Sequence, residues 1–444
     1  MRKTVSIGIG LGLWVCLAVQ GVAGDSARRL SLDDALGIAL KQNPDVGEAQ
    51  SRLAESEARL RATRAGRSPT LKARGSYDYW TEDQRLLPAT RNGETGVFGP
   101  DALGAELVAS LPLYTGGRVS GEVAAADWNR KAAADQVTRV RESLAYQVTA
   151  LFYGLLAQNE VLRSLETAVR AMDEQQRSIQ SLVDAQKAAR VDLLRANVRR
   201  AELYALQVRE RNNRVVQQRA WAALLGLDDA AAPEAQGKLE MQEVAACPVA
   251  AECMTKALSH RADYRAAQAA VSAADAGVRA ARSGYRPTVS AQVSYGKRWM
   301  PNASDQPEET DDQADVGRVG LVVELPLFDG RLTGARVAEQ RARQRGAQER
   351  LRKLALQIRF EVETAISDIA AARERVQTAE QAIGQAEESF RIMKEKYDLG
   401  KGTMTDVLDA QTALVTTQTG YARALADLFV ADARRRLAAG EVLP

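Results

Sequence analysis

The chain holds one histidine and three cysteines, so the side chains that most often act as nucleophiles, general bases or soft metal ligands are scarce. His260 stands among Ser259, Arg261 and Asp263 at the start of a helical run, with no nucleophile arrangement around it. It reads as a structural or surface residue. Cys247 and Cys253 enclose the stretch Cys-Pro-Val-Ala-Ala-Glu-Cys, and no Cys, His or carboxylate cluster at metal-ligand spacing accompanies them. Gly116-Gly117-Arg118 links a strand to a helix but lacks the spacing of a nucleotide fingerprint. Arg195, Arg199 and Arg200 are interleaved with Glu202 and Glu210, the pattern of a solvated helical face. Sixty Lys and Arg against 57 Asp and Glu give a formal charge of +3 and no electrostatic case for nucleic acid. These residues point to no enzyme, no metal and no cofactor.

What remains is architecture. Of 444 residues, 45% are hydrophobic but only 5% aromatic, the usage of long packed helices rather than aromatic-rich sandwiches. Arg2 and Lys3, an apolar run from Val5 to Val19, and the small residues Gly21 and Ala23 read as a secretory signal over residues 1–23. Bulky Leu13 and Trp14 before Cys16 argue against lipidation there. In an exported chain, a local Cys247–Cys253 disulfide is the expected state, contributing roughly 2 kcal/mol by the loop-entropy estimate. No later stretch offers 18 uninterrupted apolar residues, so any membrane crossing must use strands.

The prolines show an internal duplication. Two long stretches, from Pro112 to Pro233 and from Pro326 to Pro444, have none between their ends, which leaves room for long helices. Pro112-Leu113-Tyr114 matches Pro326-Leu327-Phe328, and Val191-Asp192-Leu193-Leu194 matches Thr405-Asp406-Val407-Leu408, both at an offset of 214. Arg67-Ser68-Pro69-Thr70 resembles Tyr285-Arg286-Pro287-Thr288 at an offset of 218. The boundaries divide the chain into a first repeat over 24–245, with strands about 69–80 and 104–114 and a helical hairpin about 117–226, and a second over 246–444. The second carries strands about 287–299 and 317–328 and a hairpin about 330–440.

In the strand segments, apolar residues alternate with polar ones. Leu71, Ala73, Tyr77 and Tyr79 oppose Lys72, Arg74, Ser76 and Asp78, while Val289, Ala291, Val293 and Tyr295 oppose Ser290, Gln292 and Ser294. Leu107, Ala109, Leu111 and Leu113 share a face, as do Val319, Leu321, Val323 and Leu325. About ten residues is the length of a tilted membrane strand, and Tyr77, Tyr79, Trp80, Tyr295 and Trp299 cluster at the ends as an interfacial girdle would. The intervening segments, 81–103 and 300–316, are long and polar, as outer loops of barrels are. A soluble sheet with one wet face is the competing reading.

Beyond the second strand of each repeat the period becomes 3.5. Ile358, Val362, Ala365, Ile369, Ala372 and Val376 begin a seam that continues through Ala386, Phe390, Met393 and Tyr397, the mark of a left-handed coiled coil. The same offset of 214, taken backwards, gives Leu144, Val148, Leu151, Leu155, Gln158, Leu162 and onward to Val183 in the same register. Such a helix is about 100 Å long, wider than a compact domain. Four strands cannot close a barrel, and an open edge in lipid leaves backbone groups unpaired, so several chains must share one barrel. Two would give eight strands filled by their own side chains, whereas three give twelve and room for a lumen.

The arrangement resembles the TolC-like outer-membrane efflux protein family over nearly all of the mature chain. The likeness rests on Leu30-Ser31-Leu32-Asp33-Asp34-Ala35-Leu36 with Asn43-Pro44, the two proline-opened strands, Pro112 to Arg118 and Pro326 to Arg331, and Tyr397-Asp398-Leu399-Gly400 through Asp406-Val407-Leu408-Asp409-Ala410. It implies a mainly α protein with a transmembrane β part, a homotrimeric twelve-stranded barrel continued by a coiled-coil helical barrel. The function implied is the outer-membrane channel of a tripartite efflux or type I secretion system. Its partners would be a periplasmic adaptor and an inner-membrane pump, and its place the outer membrane, with the helices in the periplasm. A periplasmic coiled-coil scaffold without a pore is the alternative. The resemblance places the pore constriction at Asp406 and Asp409 and a helix–helix gate contact between Tyr397 and Asp192. Thr403-Met404-Thr405-Asp406 also fits a capping box, so Asp406 has a structural reading beside the pore role. The family's basic gate residue falls on Gly402, and the first hairpin lacks the usual glycine in Ala185-Gln186-Lys187-Ala188-Ala189-Arg190; Arg190 or Lys401 would then supply the positive charge.

Overall fold

A computed structural model describes residues 29–89, 93, 95–228, 233–241, 250–304, 306 and 311–441. The expected signal segment and Cys247 lie outside the described residues; Cys253, inside them, is disulfide-bonded. The chain runs β1 (Arg29–Leu30), α1 (Leu32–Gln42), α2 (Pro44–Ala65), β2 (Thr70–Arg85), β3 (Phe98–Tyr114), α3 (Arg118–Asp184), α4 (Arg190–Leu225) and β4 (Glu234–Ala235). Then follow α5 (Ala250–His260), α6 (Ala262–Ala281), a 3-10 turn (Arg282–Tyr285), β5 (Thr288–Trp299), β6 (Gln313–Glu324), α7 (Leu332–Asp398) and α8 (Met404–Ala439). Both long helices have 67 residues and both returning helices 36. Each of the four boundaries recurs at an offset of 214 between the repeats.

β2, β3, β5 and β6 form one antiparallel sheet in that order, so the β3–β5 seam joins the repeats and β2 and β6 are left as edges. The register collects the apolar residues on one face. Leu71, Ala109, Val293 and Val319 form one cross-strand row, and Ala73, Leu107, Tyr295 and Gly317 the next. This face is bare: Val319 is 80% exposed, Leu71 70% and Leu321 69%. Among the described residues no helix is long and apolar enough to cross a membrane.

The strands overrun the alternation that identifies them. β2 continues past Trp80 to Arg85, and β3 begins at Phe98, with a register shift between Tyr79 and Gln84, so the segment expected as a loop over 81–103 shrinks to 86–97. β6 begins at Gln313 and ends at Glu324, before Pro326, which has no N–H to give a ladder. The added rungs, such as Gln84 opposite Gly99 and Arg85 opposite Phe98, mix polar, glycine and aromatic residues without alternation, so hydropathy does not mark them. Beneath them Leu86, Val97, Ala102 and Met300 form a small buried cluster.

The helical seams are where the 3.5 period puts them. Ile358, Val362, Ala365, Ile369, Ala372 and Val376 are buried along α7, and Leu144, Val148, Leu155, Leu162, Leu165, Met172 and Ile179 along α3. α2 and α6 pack along the sheet-proximal half of α3, where Gly66 faces Val119, Gly121 abuts Ala280 and Asp135 pairs with Arg265, and α1 packs on α3 further along, near Leu144 and Val148. The repeats anchor their hairpins alike. Asn43 donates to the carbonyl of Leu224 at 2.9 Å, and Arg261 donates to that of Ala438 at 3.3 Å, the same joint at offsets of 218 and 214. Arg261 is 1% exposed and elaborates the joint through Asp263, at 2.7 Å, and Glu361, at 2.6 Å. Neighbouring His260 is exposed, with its Nδ1 beside the Ser259 hydroxyl and the Lys256 carbonyl.

Candidate functional site at the hairpin tips

The two hairpins turn over the short segments 185–189 and 399–403. Both turns close by the same helix-terminal pattern: Lys187 N–H donates to Leu182 O at 2.7 Å, and Lys401 N–H to Lys396 O at 2.8 Å. That pattern needs a left-handed residue, which is Gly400 (φ 71°) in the second tip and Gln186 (φ 61°) in the first.

The returning helices start differently. Thr403 caps α8 in a full capping box: its hydroxyl accepts from Asp406 N–H, and the Asp406 carboxylate accepts from Thr403 N–H at 3.1 Å and its hydroxyl at 2.7 Å. These bonds from the Thr403 side chain and then its backbone hold the Asp406 carboxyl below the usual carboxylate range. In the first tip Ala189 stands at the cap position and offers no side-chain bond, so the equivalent carboxylate, Asp192, is free to face elsewhere. Asp192 lies 3.9 Å from Arg195 Nη1 and near Tyr397.

Tyr397 is half-buried at the end of the cluster formed by Ile179, Met404 and Val407. Burial first, then the charges of Asp192 and Asp398, push its phenol up. No hydrogen bond joins Tyr397 to Asp192 among the described residues; the two are electrostatic neighbours within one chain. Asp409 is exposed on α8 and lines a groove of about 520 Å³ between α4 and α8, opposite Leu194 and Arg195. A Cβ at Gly402 would meet Lys396 Cβ at 3.1 Å and Tyr397 N at 3.2 Å, so a basic side chain at 402 has little room. The cation that crosses between the tips is instead Arg195, whose Nη1 donates to Thr405 Oγ1 at 3.0 Å. Arg190 and Lys401 form no ion pair or side-chain hydrogen bond among the described residues. The sequence does carry the signal for Arg195, since it stands at the repeat offset from Asp409, but a charged face of mixed sign reads as solvated surface until its neighbours are known.

A four-stranded, bare-faced sheet standing on two long helical hairpins is the fold of outer-membrane efflux channels. It matches the outer-membrane protein VceC from Vibrio cholerae with a TM-score of 0.77, 21% identity, and coverage of 92% of this chain and 96% of that one. The chain belongs to the outer membrane efflux protein family, whose pattern it follows over residues 35–227 and 254–441, one segment in each repeat. That family consists of transport proteins of the outer membrane rather than enzymes. Relatives include the outer membrane efflux protein BepC of Brucella suis, 22% identical over 94% of this chain and 87% of that protein. The cobalt-zinc-cadmium resistance protein CzcC of Cupriavidus metallidurans is 25% identical over 92% of this chain and 89% of its own length.

Proposed function

We propose that the chain acts as a passive homotrimeric conduit, carrying substrate from an inner-membrane pump and a periplasmic adaptor across the periplasm and the outer membrane. Twelve strands from three copies form the barrel in the outer membrane, and the helices of the two repeats, 24–245 and 246–444, continue it into the periplasm once segment 1–23 is removed. One observation carries this reading: the β2 and β6 edges are unpaired and the apolar face is bare, which lipid and neighbouring copies together would satisfy. A periplasmic scaffold has no use for such a face in water.

Asp406 and Asp409 form the constriction at the periplasmic end. Three positions apart on α8, they share a helix face and present two carboxylates per copy to a narrow entrance, which favours cations. Asp406 serves as cap and as pore charge together, its carboxylate kept ionised by Thr403. Tyr397 and Asp192 hold neighbouring helices at the closed end, and a Cys247–Cys253 bond ties the start of the second repeat. The test is single-channel current through the purified trimer in a planar bilayer, wild type against Asp406→Asn plus Asp409→Asn. A cation-preferring wild type whose preference falls in the double variant upholds the conduit and its carboxylate ring. Unchanged preference reduces the aspartates to structural residues, and extraction of the protein without detergent overturns the conduit.

A further inference from the structure

Arg195 and Asp409 hold the same place in the two repeats. Their separation is the offset that relates every boundary of the hairpins, so α4 presents an arginine where α8 presents an aspartate. One turn earlier the repeats agree, Asp192 standing where Asp406 stands. Both Arg195 and Asp409 are exposed and line the one groove between α4 and α8, across Leu194 and Leu408. They do not pair with each other. Arg195 is held by Thr405 Oγ1 at 3.0 Å and lies 3.9 Å from Asp192, so its guanidinium is oriented toward the start of α8.

The geometry points to Arg195 as a residue that sets ion selectivity at the constriction, countering Asp409 and tying the two tips of one chain together through Thr405. This rests on the reading of Asp406 and Asp409 as the constriction. Around six hairpin tips, the level of residues 192 and 406 carries carboxylates alone, whereas the level of 195 and 409 alternates cation and anion. A ring of one sign concentrates counter-ions; an alternating ring concentrates neither, because the opposed fields cancel beyond the spacing between charges. The cation preference then comes from Asp406 and its neighbours near the tip, and Arg195 limits it one turn further in.

Reversal potentials across a bilayer with a potassium chloride gradient test this with R195Q, D409N, D406N and the R195Q/D409N pair. R195Q is expected to raise the potassium-to-chloride permeability ratio about 25-fold, because a unit charge within a few ångströms contributes about fivefold for each ion in water-like surroundings, with opposite sign for the two. D409N lowers the ratio by a similar factor, and the pair returns it to the wild-type value. T405V, which removes the acceptor and keeps the charge, raises conductance without moving the ratio. A ratio unmoved by R195Q but lowered by D409N overturns the proposal and leaves the constriction standing. The converse, a ratio moved by R195Q and by neither aspartate change, overturns the constriction and keeps Arg195 on the ion path; no change in any variant overturns both. For trimers that stay closed, R195C reacts with cationic and anionic methanethiosulfonate reagents, and the rate ratio should fall when D409N is added. Equal ratios in the two backgrounds overturn the proposal.

Discussion

Gln186 adopts φ 61° where its counterpart Gly400 adopts 71°, so the two tips make the same turn with unequal ease. An L-residue in this region is crowded at Cβ and costs roughly 1 kcal/mol against glycine, partly offset because glycine also frees the unfolded chain. Gln186→Gly should therefore stabilise the first tip by up to about 1 kcal/mol, and Gly400→Ala should destabilise the second by a similar amount. Hydrogen exchange of the amides at 185–189 and 399–403 reads each tip separately; slower exchange in Gly400→Ala would contradict the argument. Arg331 (φ 69°), where the first repeat has Gly117 (φ 92°), is a second departure of the same kind, at the base of α7.

Between elements, the seams are interrupted by polar residues that find each other. Gln158 occupies a seam position on α3, and its Nε2 donates to the Glu210 carboxylate on α4 at 2.8 Å. Asn213 donates to the same carboxylate at 3.1 Å, and Arg423 of α8 reaches it at 3.3 Å, so this 4% exposed side chain joins the first hairpin to the second. Burial pushes the Glu210 carboxyl up, but the bonds from Gln158 and Asn213 and the charges of Arg423 and Arg209 outweigh it and hold the group below its usual range. With the folded value below the unfolded one, its contribution is present above about pH 4.3 and is lost as the pH falls through the lowered folded value. Glu210→Ala leaves the amides and Arg423 without their acceptor and should cost about 3 kcal/mol at neutral pH. Glu210→Gln should flatten the acid limb of the stability profile in thermal melts between pH 3 and 7; a limb as steep as wild type would place the acid sensitivity elsewhere.

At the scale of the whole molecule, the duplication, the strands and the long seams are legible because each repeats a period along the chain: two for Val289 to Tyr295, 3.5 for Ile358 to Val376, and 214 between hairpins. What the periods do not carry is partnership. The rungs that pair Gln84 with Gly99 and Arg85 with Phe98 extend a ladder without alternation, Gln158 breaks a seam for a residue 52 positions away, and Arg261 is buried only because Asp263 and Glu361 meet it. Asp406 is recognisable as a cap from four consecutive residues, whereas the Arg195–Thr405 bond spans 210 and needs the fold to bring it about. The same division governs the sheet, whose faces follow from parity while their solvent does not. Leu321 and Gln292 separate the two solvents: Leu321 shares the bare face, and Gln292, on the neighbouring strand, points to the other. If lipid covers the bare face, Leu321→Arg should cost about 2–4 kcal/mol near the bilayer midplane, while Gln292→Arg, on a wet lumen wall, should be nearly neutral. The fraction of heat-sensitive trimer recovered in outer-membrane vesicles measures both. A soluble sheet would remove the difference, because arginine at an already exposed position in water costs little, and comparable recovery of the two variants would count against a membrane-facing sheet.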